Sequence, residues 1–164
     1  MRRSTIAGLA GLLLACAIQA DPAADNHGYG WDYDAVGETG LRLRYDDGAG
    51  EALRPPRTPP DTIAWFERVY AETAACVDVS APAPFVILVP PGMVDPGQDG
   101  QSLGGRYYYN PPLIVVAPVP TIVGGYALPD ATFRHEAVHY LLDQAGVPFA
   151  TNDAHDSPLF DICT

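Results

Sequence analysis

Five consecutive residues, His135-Glu136-Ala137-Val138-His139, have the types and spacing to hold a metal ion and act on water. In an α-helix, positions i and i+4 share a face at a separation of roughly 6 Å. Two imidazoles placed so can bind one Zn²⁺ through ring nitrogens at about 2.0–2.1 Å. Glu136 sits about 100° round the helix from His135, where it can take a proton from water rather than ligate the metal. A bare match to this pattern carries little weight, and its surroundings carry more. Asp130 is placed as an N-cap and Gly146 as the residue just past the C-terminus. Pro129 and Pro148 bracket the segment. Phe133, Ala137, Tyr140, Leu141 and Gln144 fall on a face opposite the histidines, which leaves His135, Glu136, His139 and Asp143 together. The bland alternative is two surface histidines flanking a solvated glutamate.

A catalytic zinc site commonly has three protein ligands and one open position. Downstream, the chain offers Asp143, Asp153, His155, Asp156 and Asp161. His155 is the expected third ligand: imidazole suits zinc, and the segment after His139 is long enough to turn back over the helix through Gly146 and Pro148. Pro158, Leu159, Phe160 and Ile162 can pack on the core and hold His155 in place, so the ordering entropy of a floppy ligand is avoided. Asp143 shares the ligand face and could orient a ligand histidine, or be a solvated acid in the last turn.

The elements that must position these groups are legible in outline. Leu41 to Tyr45 alternates and reads as a half-buried strand, ended by a turn at Asp46-Asp47-Gly48. Residues 49–60 form a Pro-rich connection. Pro59 to about Val77 reads as a helix capped by Thr58, with a core stripe of Ile63, Phe66, Tyr70, Ala74 and Val77. Pro84 to Val89 is a continuous apolar run, expected as a buried strand. After a turn-rich loop, Leu103 to Tyr109 and Leu113 to Ala117 read as two strands joined by a hairpin turn at Asn110-Pro111-Pro112. Pro118 to Pro129 is a loop into the histidine helix, and the chain after Gly146 is expected to be irregular. The short links between the later strands favour an antiparallel or mixed sheet, hence an α+β domain.

With this order of elements and its motif, the chain resembles the zincin metallopeptidases over roughly residues 58–163, with the five-residue motif as the specific part. Two zincin variants do not fit. Leu142 and Ala145 stand where the metzincin pattern has its Gly and third His, and no Glu follows Glu136 to serve as a gluzincin ligand. His155-Asp156-Ser157-Pro158-Leu159-Phe160 is similar to the third-ligand segment of SprT-like zincins, with the aromatic one position further on. The resemblance implies a zinc-dependent peptidase in which His135, His139 and His155 hold one Zn²⁺ and Glu136 is the general base. It also implies that the strand near Gly105–Tyr109 lines the cleft and pairs with an extended peptide. Tyr107, Tyr108, Tyr109, Tyr126 and Arg106 are candidates for a donor to the substrate carbonyl oxygen. Two other readings compete: an envelope lipoprotein with a structural or vestigial metal site, and a metal-free lipoprotein that binds a partner.

The N-terminus reads as a secretory signal. Arg2 and Arg3 precede an apolar stretch, Ile6 to Ala15, too short to span a bilayer. Leu13-Leu14-Ala15-Cys16 resembles a bacterial lipobox, with Leu14 where a small residue is usual; cleavage after Ala20 is the competing reading. The expected division is a signal peptide over 1–15, a lipidated N-terminus and tether over 16–40, and one catalytic domain over 41–164. If Cys16 is lipidated, Cys76 and Cys163 remain from the chain's three cysteines to form a disulfide in an oxidising compartment. The net charge is −11, and removing residues 1–15 takes away Arg2 and Arg3 and no acid, leaving −13. With no lysine and no basic stripe, nucleic acid is not an expected partner, and contact with a membrane is expected only through the anchor.

Overall fold

The computed structural model describes residues 32–46, 48–55, 57–93 and 102–164. The first strand, β1 (Ala35–Val36), pairs antiparallel with β2 (Arg42–Tyr45). The sheet thus begins upstream of residue 41, inside the stretch expected to be tether. A short helix α1 (Ala49–Ala52) interrupts the Pro-rich connection before the long helix α2 (Pro59–Val77). Thr58 caps α2 as its sequence indicates: its hydroxyl accepts from the Asp61 N–H, and Pro59 occupies the first turn.

Three strands follow: β3 (Phe85–Leu88), β4 (Gly105–Tyr109) and β5 (Pro112–Val116). The sheet order is β1-β2-β3-β5-β4. The three central strands are parallel, and β1 and β4 are antiparallel edges. The expectation of a mixed sheet in an α+β fold is met. The crossover a parallel β2–β3 pair requires is supplied by α2. β4 and β5 form the expected hairpin, with Tyr109 opposite Pro112.

Both faces of β3 and β5 are covered, which is why they read as unbroken apolar runs. Val86, Leu88, Ile114 and Val116 point to the face packed by the helices. Phe85, Ile87, Leu113 and Val115 point to the other, with Leu103 and Tyr108. The loop that follows carries a small hairpin, β6 (Val119–Pro120) with β7 (Tyr126–Ala127).

Helix α3 (Asp130–Gln144) lies beside α2, with Phe133 edge-on to Phe66 at 4.6 Å between ring centroids. Its start corrects the sequence reading. Asp130 is the first helical residue rather than the cap, and its carboxylate accepts from Arg134 Nε at 2.7 Å. Its end is as read: Gly146 adopts φ 80°, its N–H bonds Asp143 O, and the Val147 N–H bonds Leu142 O, each at 2.9 Å. The tail also corrects expectation, because it folds into α4 (Phe149–Asp153) and α5 (Leu159–Ile162). Helices this short do not complete a hydrophobic period, so sequence gave no helical signal for them. A disulfide joins Cys76 near the end of α2 to Cys163 just past α5, the expected pair. Such a bond is compatible with export. No helix of the described residues is long and apolar enough to cross a membrane. The signal over 1–15, Cys16, the cleavage alternative at Ala20, the first part of the tether and Asp47 lie outside the described residues.

Candidate metal centre

One turn of α3 separates His135 from His139 and puts their rings 5.0 Å apart. The third imidazole arrives from the turn after α4. His155 Nε2 lies 3.0 Å from His135 Nε2 and 3.0 Å from His139 Nε2. One ligand atom from each residue falls within 4.8 Å of the others, so the three histidines could hold a metal ion. An ion bound tetrahedrally at about 2.0–2.1 Å sets its nitrogens about 3.3–3.4 Å apart, a few tenths of an ångström from the spacing present.

The chain specifies this convergence at some conformational cost. His155 sits at φ 58°, in the left-handed region where glycine is favoured. It follows the C-cap Ala154 of α4, and its N–H bonds Asn152 O at 3.2 Å while the Asp156 N–H bonds Thr151 O. A side chain held there costs on the order of 1 kcal/mol relative to glycine, and such outliers gather at functional sites. Phe160 of α5 supports the cluster, its ring centroid 5.2, 4.5 and 4.6 Å from those of His135, His139 and His155.

Asn152 is the residue that sequence reasoning missed. It is fully buried. Its Nδ2 donates to the His139 carbonyl at 2.8 Å, which turns Oδ1 toward His139 Nδ1 at 2.9 Å. Nδ1 must then carry the proton, so the lone pair of neutral His139 is on Nε2, facing the other two rings. Burial lowers the His139 pKa to about 4, with the neighbouring histidines adding to the shift and the Asn152 bond opposing it. Burial, then His155, also lowers that of His135. Both rings are therefore neutral near pH 7, as ligands must be. Only the burial of a polar residue one short helix from His155 marks Asn152, and burial of that kind is invisible in sequence.

Glu136 lies beside the cluster and is buried. Burial raises its pKa to about 7, against the opposing effects of the Tyr107 backbone N–H and Arg106. β4 approaches this close because residue 105 is glycine. A Cβ there would collide with Thr132 Cγ2 and come within 3.1 Å of Glu136 Cγ.

The remaining candidates are sorted by this geometry. Asp143 Oδ2 accepts from the Tyr107 hydroxyl at 2.7 Å. Tyr108 packs on the far side of the sheet, and Tyr126 is paired in β7. Among these candidates, Tyr109 brings its hydroxyl 3.5 Å from His139 Nδ1. Asp153 borders the cleft but is not grouped with the three histidines, nor are Asp156 and Asp161. The cluster opens on a cleft of about 500 Å³ between β4, α3 and α4. No protein-family model, curated protein or solved structure matches the chain.

Proposed function

We propose that this chain is a zinc-dependent peptidase of the bacterial cell envelope. The observation that carries the reading is the meeting of His135, His139 and His155 at one point, with the Glu136 carboxyl buried beside them. Three imidazoles without a thiolate or carboxylate ligand suit zinc. When bound, zinc would supply a Lewis acid and a water acidified toward pKa ~7.

The protein's own groups fit the remaining work. Glu136, with a pKa raised to about 7, is poised to accept a proton on its carboxylate and return it to a leaving amine. The Tyr107 N–H holds that carboxylate in place. Tyr109 is the best-placed hydroxyl to donate to the substrate carbonyl oxygen, because the Tyr107 hydroxyl is engaged by Asp143. On β4, the Gly104 carbonyl accepts from the Ala117 N–H and so faces β5. By alternation, the backbone groups of Gly105 and Tyr109 and the Tyr107 carbonyl face the open edge, where an extended peptide can add as a further strand, while the Tyr107 N–H is taken by Glu136.

Export and a lipid anchor on Cys16 belong to the same proposal, consistent with the disulfide. The test uses purified mature protein. Metal analysis should find one zinc per chain, and a peptide-library digest should show chelator-sensitive cleavage. Glu136→Gln should keep the zinc and lose the cleavage. Zinc without turnover in the wild type would favour a structural or vestigial site, and no metal at all would remove the reading.

A further inference from the structure

The cleft is chemically uneven along β4. At one end, Phe149 and Asp153 lie four residues apart on α4, hence on one face of that helix, and both border the cleft beside Tyr109. Phe149 is 58% exposed, unusual for an aromatic of its size, and packs edge-on against Tyr109 with centroids 4.7 Å apart. Asp153 is exposed. It lines the same cleft as Tyr109 and Phe149. Among the described residues, the guanidinium bordering the cleft is that of Arg106, three residues away along β4, about 10 Å at strand spacing, and it reaches over the Tyr108 ring.

We infer that Phe149, Tyr109 and Asp153 form a subsite for a basic side chain, lysine or arginine, of a peptide lying along β4. The inference rests on the peptidase reading of the cleft. A carboxylate and two aromatic rings lining one stretch of a cleft suit a cation: the charge pairs with Asp153 while the ring faces attract it through their quadrupoles. The aliphatic stem of lysine or arginine covers the apolar surface that Phe149 exposes. An acidic side chain is repelled there, and a neutral one gains only the ring contact. A dication at the histidines adds positive charge nearby, offset by Glu136 and Asp153, so the preference comes from local contact. The chain's net charge of −11 also draws cationic peptides to the surface.

Two readouts test this. Peptides identical except for lysine, norleucine or glutamate at one position are digested by zinc-loaded protein. The lysine peptide should be favoured over norleucine by about tenfold in kcat/KM, the combined scale of a part-exposed ion pair and a cation–π contact. Asp153→Arg should reverse the order of lysine and glutamate. In parallel, the fluorescein-labelled peptides are titrated into Glu136→Gln protein and followed by anisotropy, where no turnover is needed. The lysine peptide should bind about tenfold tighter, and adding Asp153→Asn or Phe149→Ala should shrink that ratio toward one. Basic-peptide binding that depends on Asp153, without cleavage of any peptide, keeps the subsite and removes the peptidase. Cleavage or binding with equal values for lysine and norleucine, or a lysine preference that survives Asp153→Arg, overturns the subsite and leaves the peptidase reading standing.

Discussion

Replacing Asn152 by alanine separates a designed metal centre from a fortuitous meeting of histidines. The side chain is fully buried and makes two hydrogen bonds, both to His139. Each is worth about 1 kcal/mol net, and leaving the buried Nδ1–H without its main acceptor adds about 1–3 kcal/mol. The Tyr109 hydroxyl, 3.5 Å from Nδ1, is too distant to replace that bond in full. Asn152→Ala should therefore destabilise the metal-free protein by about 3–5 kcal/mol in urea unfolding. The second effect is on the metal. Without Asn152, His139 is free to place its proton on Nε2, the atom that faces the cluster, and the ring loses its fixed orientation. Loss of such an orienting partner typically weakens metal binding by about 10–100-fold. The assay is competition for zinc against a chelator of known affinity, under conditions where circular dichroism shows the variant folded. Nitrogen NMR of the imidazoles reports the tautomer directly. A folded variant that binds zinc within twofold of wild type, or whose His139 proton stays on Nδ1, would refute the orienting role and the argument for a built site.

Other expectations follow from the same geometry. Gly105→Ala should destabilise by about 1–3 kcal/mol through overpacking against Thr132, and Thr132→Ser, which removes the colliding methyl, should recover most of it; unfolding midpoints of the single and double variants decide this. In the metal-free protein, two buried groups oppose each other in acid. His139, lowered from 6.5 to about 4, stabilises the fold above pH ~6.5 and loses that contribution as pH falls toward 4. Glu136, raised from 4.5 to about 7, contributes below pH ~4.5 and loses it as pH rises toward 7. Glu136→Gln should therefore make stability rise more steeply with pH between about 4.5 and 6.5, by about 1.4 kcal/mol per pH unit, and parallel curves for the two proteins would contradict the burial argument. Cys163→Ser should lower stability by about 4 kcal/mol, since the bond closes a long loop with a sequence separation of 87. It should also weaken zinc binding, because α5 brings Phe160 against all three imidazoles; zinc affinity equal to wild type in the folded variant would show that α5 does not support the site.

Sequence alone determined what is local or periodic. The His135/His139 pair and the neighbouring Glu136 follow from helical spacing. The α2 cap follows from Thr58-Pro59, the β4–β5 hairpin from its short turn, and the buried strands from their apolar runs. The Cys76–Cys163 pairing follows from counting thiols once Cys16 is set aside for a lipid. His155 was reachable too, because few residues downstream of His139 could ligate. Tertiary structure decided whatever depends on two distant segments meeting. Asn152 turns toward His139 only because α4 folds back over α3, and five residues are too few to declare that helix. The bond between Asp143 and the Tyr107 hydroxyl likewise needs β4 laid beside α3. Residue 105 must be glycine because α3 passes beneath it, and nothing adjacent to it in the chain requires this. A helix fixes the spacing of its own side chains through its hydrogen-bond geometry, whereas an approach between elements depends on how the whole core packs.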